Sequence, residues 1–503
     1  MKLSTLIYIG AGALCVPFLS QAQTTQPAFG YYNDILDYTQ NDLFGSARMQ
    51  GIGGAKTALG ADLSSAVVNP AGLGFFNRTT ASISPTLYTK SNEATYLDQR
   101  SSDFAAPFGL ATFGVSFNSE MDGPSGDWRG GNLAITHTRL NTYRNKITYE
   151  GNLYNLDSYS DFTGYAIDEM NAFGENGSSN LAYSAYLNYL VVGPDEGFPD
   201  YTSYVNVPSD LQPTHQREVL DISGRKNTFN IAYGANYRDK LYLGAGIGFV
   251  STERRINRTF TETPFANDTL PLIETIIDED INQSGDGYYV NAGIIYRPVS
   301  FVMVGASIES STLLNLDETF NQFVTNSWRS NYPIPEAAGQ TLESGVSSEN
   351  PFEFTAITPM RVRGGATVFL GKSGFIAADV EYLDYQRMRL RAESSLTGDN
   401  QVIEALYGSA FNYSIGGEFR LDELYFRGGY AHRGEPLSNP IAAISRAANY
   451  FTAGAGLRRE NFFVDLAYVY GTTQTEYNRY AGGAFADVNL RQNRISLTTG
   501  VNF

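Results

Sequence analysis

The chain has 503 residues, including 34 tyrosines, 31 phenylalanines and 50 glycines, and its formal net charge is −17. Aromatic residues favour pleated surfaces and glycine favours tight turns, so the composition indicates one large β-structure rather than several helical domains. The acidic balance disfavours nucleic acid as a partner, because binding to a phosphate backbone requires a basic surface.

The N-terminus has the pattern of a secretory signal peptide. A lysine precedes a mostly apolar run from Leu3 to Leu19, and small residues stand at Ser20 and Ala22, the two positions that a signal peptidase reads. We therefore predict a signal peptide over residues 1–22 and a mature chain that begins at Gln23.

A disulfide framework and a transmembrane helix are both excluded by the remaining sequence. The only cysteine, Cys15, lies in the apolar run, so the predicted mature chain has no disulfide and must be held together by other means. No apolar run of 20 residues follows residue 22, as a membrane-spanning helix would need. Closed β-hydrogen bonding would meet the need for stability.

A segment rich in small residues lies directly before the first predicted strand. Residues 46–76 hold six glycines and six alanines among 31 residues, which is unsuitable for a strand or a long helix. We predict that residues 23–78 form a leader and a compact plug, or hatch, inside the structure that follows. Asp62 or Ser64 would cap a short helical turn in it, and Asn69-Pro70 would end that turn.

From residue 79 onward, segments of about ten residues with period-two hydrophobicity alternate with connections that are short and long by turns. This pattern predicts an all-β fold, a transmembrane antiparallel β-barrel of about fourteen strands over residues 79–503. The predicted strands span residues 79–89, 107–118, 132–150, 226–237, 241–260, 286–297, 301–310, 360–370, 375–390, 410–421, 424–433, 449–458, 462–472 and 489–503.

The alternation of connections also predicts how the barrel is oriented. The hatch and the end of the last strand must both lie on the periplasmic side, which places the short turns there and the long connections outside. The longest outer loop, 151–225, contains two segments that read as short helices, Asp161 to Phe173 and Leu181 to Leu190. The terminal Phe503 on an apolar face resembles the C-terminal signal of outer-membrane barrels, so we expect the chain in the outer membrane of a Gram-negative cell.

Strand parity sends several charged side chains into the lumen, near the level of the hatch. Charges of both signs at one level can pair and could anchor the hatch residues Arg48, Lys56 and Asp62. Alternatively, they are the polar lining of any barrel. The candidate anchoring residues are Asp379, Glu381, Glu418, Arg420, Arg427 and Asp465.

The hatch sequence resembles that of the FadL-type outer-membrane transporters for long-chain fatty acids and aromatic hydrocarbons. The hatch of that family carries an Asn-Pro-Ala motif, matched here by Asn69, Pro70 and Ala71, and its barrel has fourteen strands. The resemblance implies passive uptake of hydrophobic molecules, with capture by outer loops, a pocket in the barrel, and exit along the axis or sideways after the hatch shifts. The leader, Gln23 to Phe44, is longer than the family's.

Other functions leave weaker signals. Two alternative functions remain. One is a barrel scaffold that binds a protein partner, and the other is a haem-uptake receptor with His215 as an axial ligand. The run Asp278-x-Asp280-x-Asn282-x-Ser284 has the spacing of a calcium loop, but Gln283 stands where a glycine is needed. We predict no catalysis, no cofactor and no metal. The expected partners are a hydrophobic small molecule, outer-membrane lipid and lipopolysaccharide, and the expected state is a monomer.

Overall fold

The structure of the chain is a computed structural model, which describes residues 30–120, 127–154, 161–162, 213–264, 272–330, 338–347, 351–393, 396–438, 445–480 and 483–503. Twenty strands within these residues join into a single antiparallel sheet. They are β1 (Thr80–Tyr96), β2 (Gln99–Ala105), β3 (Phe108–Glu120), β4 (Trp128–Thr142), β5 (Asn145–Leu153), β6 (Thr214–Tyr237), β7 (Leu241–Pro264), β8 (Leu272–Val299), β9 (Val302–Glu309), β10 (Leu313–Trp328), β11 (Thr341–Ser347), β12 (Phe352–Ile357), β13 (Arg361–Phe369), β14 (Gly374–Asp384), β15 (Arg389–Ala392), β16 (Ser409–Leu421), β17 (Leu424–Arg433), β18 (Ala448–Arg458), β19 (Phe462–Tyr477) and β20 (Ala486–Asn502).

Fourteen of these strands close into a barrel, which confirms the predicted fold class. Around the wall they follow the order β1, β3, β4, β6, β7, β8, β9, β13, β14, β16, β17, β18, β19 and β20. The last strand returns to the first, with a ladder from Thr80↔Asn502 to Thr95↔Asp487. Closure removes the free edges of the sheet and explains how a chain without disulfides can be stable.

The wall is taller than the sequence pattern indicated. β6 begins at Thr214 and β8 at Leu272, so part of the predicted loop 151–225 is strand, and the predicted loop near residues 262–285 is wrong. The outer face there is polar, as at Asp278 and Asp280, because these strands extend beyond the apolar belt, and the period-two hydrophobic signal is lost. The two helices predicted within 151–225 lie almost wholly outside the described residues.

The outer face of the barrel carries a belt of exposed apolar side chains. On β19 the exposed Phe462, Leu466 and Tyr468 alternate with the buried Asp465 and Ala467. Alternation of this kind is typical of strands that face lipid on one side and a lumen on the other. Among the described residues, no helix is long and apolar enough to cross a membrane.

Residues 30–76 lie inside the lumen. We call the end of the barrel with short connections the turn end, and the opposite end the loop end. Helix α1 (Tyr31–Thr39) occupies the loop end, whereas α2 (Ala47–Gly51), α3 (Ser65–Val68) and a 3₁₀ helix (Pro70–Phe75) form the hatch at the turn end. A fourth helix, α4 (Thr397–Leu406), lies in the connection between β15 and β16 at the loop end.

Candidate functional site: the hatch, the lumen and the wall

Local hydrogen bonds shape the hatch. The Ser46 hydroxyl caps α2 by accepting from the Met49 amide and donates to Asp62 at 2.6 Å. Asp62 in turn accepts from the amide of Ser64 at 2.9 Å, so it organises the turn before α3 rather than a helix N-terminus. α3 ends at Asn69, whose backbone is extended, as expected for the residue before a proline.

Asn69 joins the hatch to the wall. Its side chain is buried, and Nδ2 donates to the carbonyl of Thr57 in the hatch at 2.7 Å and to the carbonyls of Ile294 and Ala306 at 3.3 and 3.4 Å. Its Oδ1 accepts from the Ala71 amide at 3.2 Å, which starts the 3₁₀ helix. One side chain thus satisfies backbone groups of the hatch and of two barrel strands, β8 and β9.

The rest of the motif packs against β6 and β7. Pro70 and Ala71 are buried, and Phe75 stacks on the Tyr242 ring with centroids 3.7 Å apart. Inward glycines let the two backbones meet, because a Cβ at Gly234 would fall on the Pro70 carbonyl and a Cβ at Gly244 on the Pro70 carbonyl carbon. The motif is therefore held by backbone contact with the wall.

Similar glycines continue around the barrel, and we call them the glycine belt. At each position a Cβ would meet hatch atoms, either backbone or the side chain of Asn69 or Thr57. Glycine alone permits this approach, since any other residue would push the hatch away from the strand. The belt comprises Gly234, Gly244, Gly293, Gly305, Gly365, Gly416 and Gly429.

Three of the predicted anchoring residues form a buried ion cluster beneath α2. Arg427 donates to Glu418 and to Asp465, each at 2.7 Å, and its side chain is fully buried. Arg48 of α2 reaches Glu418 at 3.3 Å, and Arg458 lies 3.5 Å from Asp465. The cluster links the hatch to β16, β17 and β19 through hydrogen-bonded charges. Arg427 is its central member, since it alone bonds both carboxylates at 2.7 Å.

Asp379 and Glu381 on β14 act differently from each other. One carboxylate oxygen of Asp379 accepts from the amides of Lys56 and Thr57, both at 2.7 Å, so this residue binds the hatch directly. Glu381 instead pairs with Arg361 at 3.3 Å and with Arg363 at 2.6 Å in the wall. Arg361 also donates to the Thr39 carbonyl, so Glu381 acts on the leader only through that arginine.

Arg420 is not part of either cluster, so the idea that it anchors the hatch from the lumen is wrong. It is exposed at the turn end, where its Nε donates to the Asp422 carbonyl and its guanidinium lies over the Tyr425 ring. The strand parity was correct, but the residue stands too close to the turn for its side chain to be covered.

Lys56 is a buried cation in the hatch with a weak set of partners. Its Nζ donates to the Phe44 carbonyl at 2.9 Å and lies 3.9 Å from the centre of the Phe44 ring. Burial lowers the pKa of Lys56 to about 8, although the nearby Asp62 and Asp379 oppose the change. This lysine therefore contributes less to hatch attachment than the hydrogen-bonded arginines.

Two kinds of space lie beside and above the hatch. A pocket of about 140 Å³ between the leader, the hatch and the wall is lined by charged groups, among them Lys56, Arg361, Asp379 and Arg433. Towards the loop end the lumen is rich in buried apolar residues and tyrosines that pack around α1, with charged side chains such as Arg254 and Glu318 among them. These tyrosines are Tyr96, Tyr143, Tyr149, Tyr289, Tyr385 and Tyr407. An apolar body would thus be favoured at the loop end and a polar group near the hatch.

The wall has a break between its second and third strands. The β3–β4 ladder ends at Thr112↔Thr138, and within the described residues no ladder joins β2 to β5. β5 instead pairs along its length with β6, and the buried Asn92 of β1 donates to the Asn145 side chain at 2.6 Å. The sequence signal is Pro107 between β2 and β3, a residue without an amide hydrogen for a ladder.

Aromatic side chains flank this break on the outer surface. Phe104 and Phe108 are 65% and 71% exposed, and the Arg139 guanidinium lies against Gly109 within the break. Across it, no backbone ladder joins the strands within the described residues, and each of the bridging contacts involves a side chain, as where Asp103 accepts from the Thr148 amide at 2.5 Å. The break lies at the level between the hatch and the apolar part of the lumen.

The residues proposed for other chemistry lie outside the lumen. His215 is on the outer face of β6, with its Nδ1 2.7 Å from the Asn152 side-chain oxygen, so it does not present a ligand to a haem in the barrel. Asp278 and Asp280 lie on β8 rather than in a loop. The described residues contain no group of three or more His, Cys, Asp or Glu placed to hold a metal.

Comparison with known proteins shows similarity of structure alone. No protein-family model and no curated protein sequence matches the chain. The crystal structure of the Pseudomonas putida toluene transporter TodX is 13% identical, with a TM-score of 0.53, over 92% of this chain and 100% of that one. A Pseudomonas aeruginosa FadL homologue is 12% identical, with a TM-score of 0.55, over 92% and 100% of the two chains.

The similarity extends over the barrel and not merely over part of it, since nearly all of each chain is covered. The predicted resemblance is thereby confirmed at the level of the fold. The closed barrel, its apolar belt and this fold together support the predicted outer-membrane β-barrel. This chain has the fourteen-stranded barrel fold of the FadL-type transporters.

Proposed function

We propose that the protein is an outer-membrane channel for passive uptake of hydrophobic small molecules, such as long-chain fatty acids or aromatic hydrocarbons, with the hatch as its gate. The observation that carries the proposal is the combination of a hatch seated in the turn end and a break in the wall directly above it. An axial path through the hatch would have to separate the glycine belt and the buried ion cluster. A path through the break would separate contacts made by side chains and would leave the backbone ladders of the wall in place.

The direction of transfer follows from the surroundings of the break. Transfer of an apolar solute from the tyrosine-rich lumen into water at the turn end is unfavourable. The outer surface beside Phe104 and Phe108, by contrast, faces lipid. Transfer from lumen to bilayer keeps the solute out of water throughout. The energy comes from burial of its apolar surface, at about 25 cal/mol per Å², so no coupling to an energy source is required.

The test is uptake into proteoliposomes that hold the purified protein, with radiolabelled oleic acid and toluene as probes. We expect uptake above that of protein-free vesicles for at least one probe. Gly109→Phe places a bulky side chain in the break and should lower uptake severalfold. Gly364→Phe is the matched control, because a Cβ there meets only Val380, at 3.9 Å. No uptake of either probe by the native chain would contradict the proposal, and equal uptake by the two variants would contradict the sideways route.

A further inference from the structure

Helix α1 fills the apolar part of the lumen that a transported molecule would need. Ile35, Leu36 and Tyr38 are 0%, 6% and 1% exposed, and they pack in one cluster with wall residues such as Tyr289 and Leu314. The hatch is separate from this cluster and occupies the other end of the barrel. The lumen therefore holds two N-terminal plugs, and the residues of α1 act as an occupant of the chamber.

One arginine holds the acidic face of α1. Arg254 on β7 donates through Nη1 to Asp34 at 2.6 Å and through Nη2 to Asp37 at 2.9 Å, and its side chain is 7% exposed. The two aspartates are three residues apart, so they lie on the same side of the helix. Charge-assisted hydrogen bonds from one guanidinium to two carboxylates fix both the position and the rotation of α1.

Further hydrogen bonds reach α1 from strands on either side of β7. The Tyr38 hydroxyl donates to Gln283 of β8 at 2.5 Å, and the Tyr31 hydroxyl donates to Glu318 of β10 at 2.6 Å. Lys226 of β6 donates to the Tyr38 carbonyl at 2.6 Å. The chamber thus binds α1 as a receptor binds a helical peptide, with an apolar interior and specific polar contacts.

The start of α1 is tied to the loop end. The Asp399 carboxylate of α4 accepts from the amides of Gly30 and Tyr32, at 3.0 and 3.2 Å. These amides have no partner within the helix, and a carboxylate there also favours the positive end of the helix dipole. α4 is part of an outer connection, so any movement of that connection acts on α1 directly.

α1 and the hatch differ in how they are held. The hatch meets the wall through backbone atoms at the glycine belt, whereas the polar contacts of α1 with Arg254, Gln283 and Glu318 are between side-chain ends. Side-chain ends can separate by rotation of their own torsions while the strands stay in place. Of the two plugs, α1 is the one that can leave without distortion of the barrel.

We propose that α1 is an intramolecular inhibitor, which occupies the apolar chamber of the barrel and is retained there by Arg254. A solute enters the chamber only as α1 withdraws, and it competes with the helix for the same apolar wall. The inhibitory part rests on the channel function proposed above. The docking part depends only on the contacts of α1.

The test uses a single cysteine at Ile35→Cys in the full chain, in proteoliposomes, with a membrane-impermeant methanethiosulfonate reagent. Arg254→Gln removes both ion pairs and should raise the rate of modification roughly tenfold or more, because truncation of one partner of a buried charge pair is strongly unfavourable. Arg258→Gln is the matched control. Arg258 lies four residues along the same strand, but its partners, Glu218 and Glu279, belong to the wall. Arg254→Lys should restore part of the protection.

Equal modification rates in the Arg254→Gln and Arg258→Gln chains would overturn docking by Arg254. Uptake of a fluorescent hydrophobic probe, 1-N-phenylnaphthylamine, tests inhibition, and we expect a severalfold higher initial rate for Arg254→Gln than for Arg258→Gln. Faster modification with unchanged uptake would overturn the inhibitory role. If no variant and no native chain takes up the probe, the channel function itself fails, while the modification rates still decide whether Arg254 holds α1.

Discussion

A single methyl group at Gly429 should loosen the hatch. A Cβ at this position would fall on the backbone of Ile52 and Gly53, which cannot turn aside as a flexible side chain can. The neighbouring Gly428 is open, with only the Thr452 carbonyl, at 3.9 Å, near its Cβ position. Gly429→Ala should therefore separate the hatch from β17, whereas Gly428→Ala on the same strand should not.

The size of the effect follows from the cost of overpacking. Insertion of one methyl group into a closely packed contact costs about 1–3 kcal/mol, which corresponds to a change of about 5–150-fold in the equilibrium between docked and undocked hatch. The remaining contacts of the hatch, including Asn69 and the ion cluster at Arg427, are untouched. The barrel itself should stay closed, since its ladders do not involve a side chain at residue 429.

The assay is modification of a single cysteine at Met49→Cys, on the buried face of α2. Its rate in the Gly429→Ala chain should exceed that in the Gly428→Ala chain by the factor given above. Heat-dependent migration on detergent gels checks that both barrels remain folded. Equal modification rates in the two chains would refute the inference that the glycine belt seats the hatch. If the rate rises in both chains above that of the native sequence, the cause is a change in β17 itself rather than the contact between Gly429 and the hatch.

Three further outcomes follow from the same contacts. Arg427→Gln should lower the free energy of unfolding by about 3–5 kcal/mol, because two buried carboxylates lose the cation that bonds both at 2.7 Å and keep only the longer contacts with Arg48 and Arg458. Urea titration should show no comparable effect for Arg459→Gln at an exposed pair. Asn69→Asp keeps the acceptor but loses the amide donor to three carbonyls, so it should weaken hatch docking by about 1–3 kcal/mol, seen as faster modification of Met49→Cys. Arg420→Ala should leave that rate unchanged, and an increase would restore this residue to the anchoring set.

Much of the barrel could be predicted because each lipid-facing strand has a recognisable pattern in its own sequence. Period-two hydrophobicity at β17 or β19 reports one apolar and one polar face, whatever the rest of the chain does. The signal fails at the loop end, where the outer face of β8 is polar around Asp278 and the inner face mixes Ile277 and Ile281 with polar residues. At the loop end, β8 is stabilised by its ladders with β7 and β10. Such pairing between strands cannot be read from the sequence of one segment.

The same distinction between local and long-range effects applies to the residues of the hatch and its contacts. Asp62, Asn69 and Pro70 shape a turn by local hydrogen bonds and restricted backbone angles, and these were predictable. Whether an inward charge touches the hatch depends on its height in the barrel and on the position of the hatch, so Glu418 and Arg420, two residues apart, have opposite outcomes. The strand glycines are visible in the sequence, but their common contact with the hatch is not.

By itself, the sequence determined a closed barrel of about fourteen strands with a small-residue plug before it, since alternation, turn chemistry and helix termination are local effects. Only the tertiary structure decided which glycines receive the plug, where the wall loses its ladder beyond Thr112, and that α1 lies in the apolar chamber with Arg254 on its two aspartates. The contacts of Arg254 with α1 join residues more than two hundred positions apart, and such contacts form only once closure has brought the strands around the N-terminal chain.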